Sequence, residues 1–528
     1  MIPYNLGYGE YSGIAERPRD AGSGVPGSVI PEPDLLWPGQ PALPIVHPPN
    51  SGTVSYCMVS KPCALLLLIS LANAADTGNP TAALLSELIR VDTSNPPGRE
   101  RSLDELLASK FRHLGFEIDI IQTPEAGKAH FIARLRGDGS KKPILLAAHA
   151  DVVGVERDKW TIDPFAGLVK DGYVYGRGAI DFKGGLAVFA QAVMMLAKNK
   201  VRLSRDVVFL SEADEEGGKY NTTWLAESNW NKIDCEFSLN EGGWIIKEPG
   251  GKVRYVSIST ADKASVSLLL TAQGKSTHSS MPRPDNAIFT LSKAMAKIAD
   301  YDTKPTLIPS TKEFFQMLGK TSQPPMSTYF SNLVNSNDPA LVAQADREIS
   351  KDPLLHAIMR NTIAPVLMSA GFRGNVIPGS AEATINFRVI PGTNTADLIG
   401  EMRRVINDPN VDIGVAPVAP GGNRSSGYME RVLNMKPSPQ ENELYSALSR
   451  QAKAVYPEAA VTPYLFQAGT DAAPWRSRGI PVYGIYPYPI NAEDLSRMHG
   501  NDERVSLESL RSGTELIYKT LLDVAAKK

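Results

Sequence analysis

From residue 79 onward the spacing of apolar positions changes repeatedly. In NPTAALLSELIRVDTSNPPG (79–98) they recur at helical intervals and stop at a Pro-Pro-Gly breaker, which predicts an amphipathic helix. RSLDELLASKFRHLGF (101–116) repeats the pattern through Leu103, Leu106, Leu107, Phe111 and Leu114. FEIDIIQT, AHFIARLRG and PILLAAHAD (116–123, 129–137 and 143–151) are short runs that read as strands. GGLAVFAQAVMMLAKNK (184–200) is apolar nearly all round, which predicts a largely buried helix. Two further apolar strands, DVVFLSEADEEGG (206–218) and CEFSLNEGG (235–243), each run into acids. Strands alternating with helices predict an α/β unit with a mostly parallel sheet covered by helices on both faces. In such sheets, sites lie outside the carboxyl ends of the strands.

Near residue 264 the pattern changes. ASVSLLLTAQG alternates strictly, NAIFTLSKAMAKIAD is helical, SAEATINFRVIPG is a strand, TADLIGEMRRVIND is helical, and VDIGVAP closes the series. That order predicts a smaller α+β unit, an open sheet with helices on one face, inserted into the first. The expected organisation is one α/β unit in two parts, 75–263 and 426–528, interrupted by the small unit at 264–425. Within the latter, 301–362 reads as a long helical insertion that caps the small unit, mediates a dimer or blocks one.

Composition narrows the picture. The chain has 528 residues, 42% hydrophobic and 21% charged, as in globular proteins of two or three domains. A net charge of −2 gives no electrostatic case for nucleic acid or an anionic membrane as partner. No segment reaches the roughly 18–20 apolar residues of a membrane span. Residues 1–57 carry ten prolines and eight glycines without periodicity, and are expected to be disordered or a mis-assigned extension. Next comes a secretory leader over 58–74: Met58, a positive Lys61, an apolar stretch from Ala64 to Leu71, and an Ala72-Asn73-Ala74 cleavage box. The expected product is exported, periplasmic or secreted, and begins near Ala75. It keeps a single cysteine, Cys235, so no internal disulfide can form.

Candidate chemistry collects at strand ends. His149 and Asp151 end one strand; Asp181 follows in the Gly-rich turn YGRGAIDFKGG. Asp214, Glu215 and Glu216 end the next strand, Glu241 the one after, and His499 arrives in MHGNDERVS. Like charges crowded at strand ends repel unless cations sit among them. Histidine with carboxylates and no thiolate suits Zn²⁺, Mn²⁺ or Co²⁺.

At this point the sequence resembles the co-catalytic di-zinc metallopeptidases that include aminoacylase, succinyl-diaminopimelate desuccinylase, acetylornithine deacetylase, glutamate carboxypeptidase and carboxypeptidase S. The resemblance covers roughly residues 80–525. It rests on His149-Ala-Asp151, Gly178-Ala-Ile-Asp181-Phe-Lys-Gly-Gly, Asp214-Glu215-Glu216-Gly, Glu241-Gly-Gly and Met498-His499-Gly. It implies two divalent ions, Zn²⁺ first, with Co²⁺ or Mn²⁺ as alternatives. His149 and Glu241 would bind one, Glu216 and His499 the other, with Asp181 bridging. It also implies that Glu215 is the general base, and that Asp151 accepts the remaining N–H of His149. The small unit would be a lid or dimerisation domain whose GKSTHSSMP motif supplies His278 as oxyanion donor, sometimes across a homodimer. Asn286, Arg388, Gly469 and Thr470 match or flank positions that contact substrate.

The reading is therefore an exported metal-dependent hydrolase that cleaves an amide bond beside a free carboxylate. Short peptides are the first substrate class and N-acyl amino acids the alternative. A non-catalytic periplasmic binding protein is the alternative of another class, and the intact Glu215 argues against it.

Overall fold

The computed structural model describes residues 78–417 and 428–528. The extension over 1–57 and the leader over 58–74 lie outside the described residues.

Two helices, α1 (Pro80–Ile89) and α2 (Glu100–Phe111), precede the first strands. Asn79 caps α1 by accepting from the Thr81 and Ala82 amides. The strands β1 (Glu117–Gln122), β2 (Ala129–Leu135) and β3 (Ile144–His149) are followed by helix α3 (Lys183–Lys198). Then come β4 (Val207–Glu212), β5 (Phe237–Lys247) and β6 (Val253–Asp262). Every residue of β3 and β4 is buried, which explains why these strands read as continuous apolar runs.

The chain next builds a second sheet. It consists of β7 (Ala264–Gln273), β8 (Thr362–Ala370), β9 (Ser380–Val389) and β10 (Val411–Val415). Their order is β8-β9-β7-β10, all antiparallel. Burial alternates along β7 and β9, and helices α4 (Ala287–Ala299) and α9 (Thr395–Ile406) cover the apolar face. Four more helices, α5 (Pro309–Thr321), α6 (Met326–Asn335), α7 (Pro339–Ile349) and α8 (Pro353–Met359), lie between α4 and β8.

These four helices do not cap the small sheet. Phe314, Phe315, Phe330, Ile349 and Ile358 join the large unit's core, and the Phe314 ring meets Tyr255 and Tyr464 edge-on. The chain thus crosses between the two units four times rather than twice. Three crossings are tied together. Lys263 Nζ donates to the carbonyls of Ala357 and Arg360, both at 2.8 Å, and Arg360 Nη1 donates to Asp302 and to the Thr303 carbonyl.

The chain then returns through α10 (Glu443–Val455), β11 (Ala460–Phe466), β12 (Val482–Ile490) and α11 (Leu507–Ala525). The large sheet runs β1-β2-β4-β3-β5-β12-β6-β11. Its centre is parallel through β4, β3, β5 and β12, and β1 and β2 are antiparallel at one edge. The α/β class with an inserted α+β unit is therefore the observed fold.

Candidate active site

The turn after β4, Glu241 within β5 and the loops carrying Asp181 and His499 line one cavity of about 460 Å³. His149 is not among its lining residues but contacts Asp181 and Glu241. At the end of β3, His149 is buried. Its Nδ1 lies 3.0 Å from the Asp151 carbonyl, to which it donates, so Nε2 is free to act as a ligand. Nε2 lies 3.2 Å from Asp181 Oδ1 and 3.5 Å from Glu241 Oε2.

The Asp151 carboxylate differs from expectation. It stands 3.7 Å from Nδ1, and the backbone carbonyl is the close acceptor. The carboxylate instead accepts the Glu215 amide at 3.1 Å, the Glu216 amide at 3.0 Å and Asn95 Nδ2 at 2.8 Å. Asp151 therefore fixes the turn that carries Glu215 and Glu216. Asp214 holds the same turn from the other side: it accepts from Lys128 Nζ at 2.5 Å, Asn95 Nδ2 at 2.8 Å and the Tyr220 amide at 2.7 Å. Its φ of +67° is left-handed, and a Cβ at Gly218 would overlap the Asp214 carboxyl, so glycine is required there.

A second group forms around His499. Its Nε2 lies 3.0 Å from Asp181 Oδ2 and 3.1 Å from Glu216 Oε1. Asp181 thus offers one oxygen to each group. The Tyr486 hydroxyl donates to Asp181 Oδ1 at 2.9 Å and lies 3.2 Å from Glu241 Oε2. Asymmetry separates the groups: the His149 side chain is 2% exposed and that of His499 44%.

These residues fit divalent ions. A tetrahedral Zn²⁺ with ligands at about 2.0–2.1 Å holds them about 3.3 Å apart, and the four histidine–carboxylate spacings in the two groups, 3.0 to 3.5 Å, bracket that value. The electrostatics agree. Burial opposes charge on His149, yet Asp151, Asp181 and Glu241 hold its imidazole well above the ordinary value. Hydrogen bonds to Asp181 and Glu216 raise His499 to about 10. Burial lifts the Glu241 carboxyl to about 7. Burial, then the Glu241 charge, lifts that of Glu215 well above the carboxylate range. The cluster lacks positive charge, and metal ions would supply it.

Arg388 on β9 lines the cavity, and its guanidinium has no hydrogen-bond or ion-pair partner among the described residues. Gly469 lines it too: a Cβ there would lie 3.9 Å from Arg388 Nη1. The Thr470 hydroxyl donates to Asp262 at 2.6 Å, so its proton is already engaged. Asn286 and His278 are not among the cavity's lining residues. The Asn286 side chain caps α4 by accepting the Ile288 amide at 2.9 Å. His278 is exposed beside the small sheet, and its Nδ1 accepts the Ser280 amide at 3.2 Å. That leaves the proton on Nε2, a donor without a partner among the described residues.

Sequence reasoning did not single out Tyr486, Asp262, Asn95 or Lys128. Tyr486 lies in VYGIYPYPI, whose prolines argue against a central strand. Asn95 sits in a helix-breaking run, and nothing near Lys128 marks it as the partner of an acid 86 residues away.

A buried carboxylate–histidine cluster at the strand ends of a mixed, mostly parallel sheet defines a metal-dependent hydrolase in outline. Residues 145–523 match the family described as Peptidase family M20/M25/M40, and the chain belongs to that family. It is 32% identical over 389 residues to "Probable carboxypeptidase S-like 2" of Dictyostelium discoideum, covering 72% of this chain and 71% of that one. It is 27% identical over 405 residues to "N-fatty-acyl-amino acid synthase/hydrolase PM20D1" of Homo sapiens, covering 74% and 76%. Among solved structures, the M20 family metallo-carboxypeptidase Sso-CP2 from Sulfolobus solfataricus superposes with a TM-score of 0.58 at 17% identity, over 83% of this chain and 97% of that one. The chain is accordingly an enzyme, a hydrolase of the metallopeptidase class. No described helix is long and apolar enough to cross a membrane.

Proposed function

We propose that this enzyme hydrolyses the amide bond adjoining a free carboxylate, in short peptides first. One observation carries the reading: a carboxyl poised as base, Glu215, and an unpartnered guanidinium, Arg388, face the same cavity. Two divalent ions, Zn²⁺ with Co²⁺ or Mn²⁺ as substitutes, would be held by His149, Asp181 and Glu241 and by Asp181, Glu216 and His499. When bound, they polarise the scissile carbonyl and acidify the attacking water.

The chain's own residues do the rest. Glu215 takes the proton of the attacking water and returns it to the leaving amine, for which a raised pKa suits it. Arg388 clamps the substrate carboxylate with paired N–H donors, and burial weakens competition from water. His278 donates its Nε2 proton to the developing oxyanion once the small unit, or that of a partner copy in a homodimer, brings it over the cavity. Asp151 and Asp214 hold the Glu215 turn still. The small unit, over 264–300 and 362–417, acts as the lid, and the leader over 58–74 exports the chain to the periplasm or beyond.

A second reading, N-acyl amino acids, is favoured by the apolar part of the cavity wall. Val432, Met435, Phe466, Ala468 and Met498 would accept an acyl chain. The test is a hydrolysis screen over dipeptides and N-acyl amino acids with Zn²⁺, Mn²⁺ and Co²⁺, beside elemental analysis. Two ions per chain and turnover dependent on a free carboxylate are expected. Full activity with one ion or none, or equal turnover of carboxyl-blocked substrates, rejects the reading.

A further inference from the structure

The ligands of the His499 group come from three segments. Glu216 sits on the turn that Asp151 holds. The other two, the turn before α3 with Asp181 and the loop before α11 with His499, lie far apart in the chain. One buried ion pair grips both. Glu503 is fully buried, and its carboxylate accepts four hydrogen bonds. They come from Arg177 Nη1 at 2.6 Å and from the amides of Gly178 at 3.2 Å, Ile180 at 2.7 Å and Asp181 at 3.0 Å. Arg177, itself buried, reaches the other way. Its Nη2 donates to the Gly500 carbonyl at 2.8 Å and, less closely, to that of His499 at 3.4 Å. The Trp160 ring lies 5.2 Å from the guanidinium and fixes its plane.

The grip is needed where it falls. His499 has a φ of +59°, a left-handed conformation that a side chain with a Cβ adopts only when its surroundings impose it. Half its side chain is open to solvent, so packing does not impose it. The His149 group is built differently. His149 ends a fully buried strand and Glu241 lies within another, so sheet pairing holds both. The groups share only Asp181.

We propose that Arg177 and Glu503 are positioning residues for the His499 half of the site, so that an ion held by Asp181, Glu216 and His499 depends on Arg177 while one held by His149, Asp181 and Glu241 depends on it far less. The proposal rests on reading the two groups as metal sites. It assigns different supports to their unshared histidines: His149 rests on the sheet, whereas His499 rests on an ion pair that ties its loop to the Asp181 turn across 326 residues of sequence.

The experiment titrates metal-free full-length protein with Co²⁺, followed by calorimetry and by visible absorption. Four proteins are compared: wild type, Arg177→Met, Arg177→Lys and the control Arg205→Met. Arg205 is also a fully buried arginine with two acidic partners, Glu236 and Glu443, but it precedes β4 at the opposite ends of the strands. Its loss should cost comparable stability without touching the site. Wild type should take up two ions. Arg177→Met should keep one with near-normal affinity and bind the second at least about tenfold more weakly. Arg177→Lys should fall between, and Arg205→Met should bind both normally. Wild-type affinity for both ions in Arg177→Met, or equal weakening of both, overturns the proposal. A wild type that binds fewer than two ions instead brings down the metal reading, and the proposal with it. If Arg177→Met does not fold, Arg177→Lys decides by the same criteria.

Discussion

The two units of this molecule treat charge in opposite ways. The large unit buries ten carboxyl side chains, among them Glu100, Asp104, Asp151, Asp181 and Glu241. The small unit, over residues 264–300 and 362–417, buries no polar or charged side chain at all. Burying carboxylates is costly unless each is paired or hydrogen-bonded. The large unit accepts that cost where its strands end, because reactivity requires acids freed from water. The small unit is an ordinary one-faced sheet that contributes Ala264, Ser265 and one charged side chain, Arg388, to the cavity. On the proposed function, proton transfer by Glu215 and recognition by Arg388 fall in different units, and that division can be tested by where a substitution acts.

The largest effect should come from the large unit. Glu215→Gln keeps the fold and the metal ions but cannot accept a proton, and turnover should fall by about 10²–10⁴. Metal content measured beside kcat checks this, and near-normal turnover removes Glu215 as base. His278→Ala should lower kcat by about 10²–10³ if its Nε2 proton stabilises the oxyanion. Mixing it with Glu215→Gln should restore some activity in confirmed mixed dimers if the donor crosses between subunits, because one site then holds both residues. This variant would break the division, since its residue belongs to the small unit but acts on the chemical step. Arg388→Met should mainly raise KM, by about 10–10² for carboxylate-bearing substrates, from the loss of a charge-assisted hydrogen bond worth about 1.5–3 kcal/mol. An equal effect on carboxyl-blocked substrates would mean that Arg388 does not read the carboxylate.

The smallest effect concerns stability. Burial, helped by the Asp151 charge, lifts the Glu100 carboxyl to about 8. Between the ordinary value of 4.5 and about 8 the folded state holds a proton that the unfolded chain releases. Glu100 therefore lends stability below pH 4.5 that is lost as pH rises through 8. Glu100→Gln should flatten that slope by a few kcal/mol at most, read from denaturant unfolding at pH 5 and pH 8.5. An unchanged slope would show that Glu100 is ionised in the fold.

Much of this architecture was legible in the sequence because burial leaves a local mark. The strands β3, β4 and β5 read as apolar runs leading into polar residues, since a strand buried on both faces is mostly apolar, but β5 does not end at Glu241 as its sequence suggests and continues to Lys247. The family match reinforces those motifs. What escaped notice had no local mark. β8 contains Pro365 and turns Val366, Leu367 and Met368 outward at the sheet's edge, so neither alternation nor a polar face announced it. The helices between 309 and 359 have ordinary amphipathic faces, and only the tertiary structure shows that those faces belong to the large core. The pairs Lys128–Asp214 and Arg177–Glu503 join distant segments, and neither charge is unusual where it stands.

The four crossings between the units have a kinematic consequence. A lid on two adjacent strands can swing like a gate. Here the Lys263 and Arg360 bonds knot three crossings at one end of the small sheet, which makes that end a fulcrum. Arg388 lies beside the fulcrum, paired across the sheet with Ser265 and Thr362. His278 lies beyond the far end of β7, a ten-residue strand about 33 Å long. Any rocking about the knot moves the guanidinium little and sweeps the imidazole through a wide arc. On the proposed roles, a grip by Arg388 would therefore be in place before the stroke that brings His278.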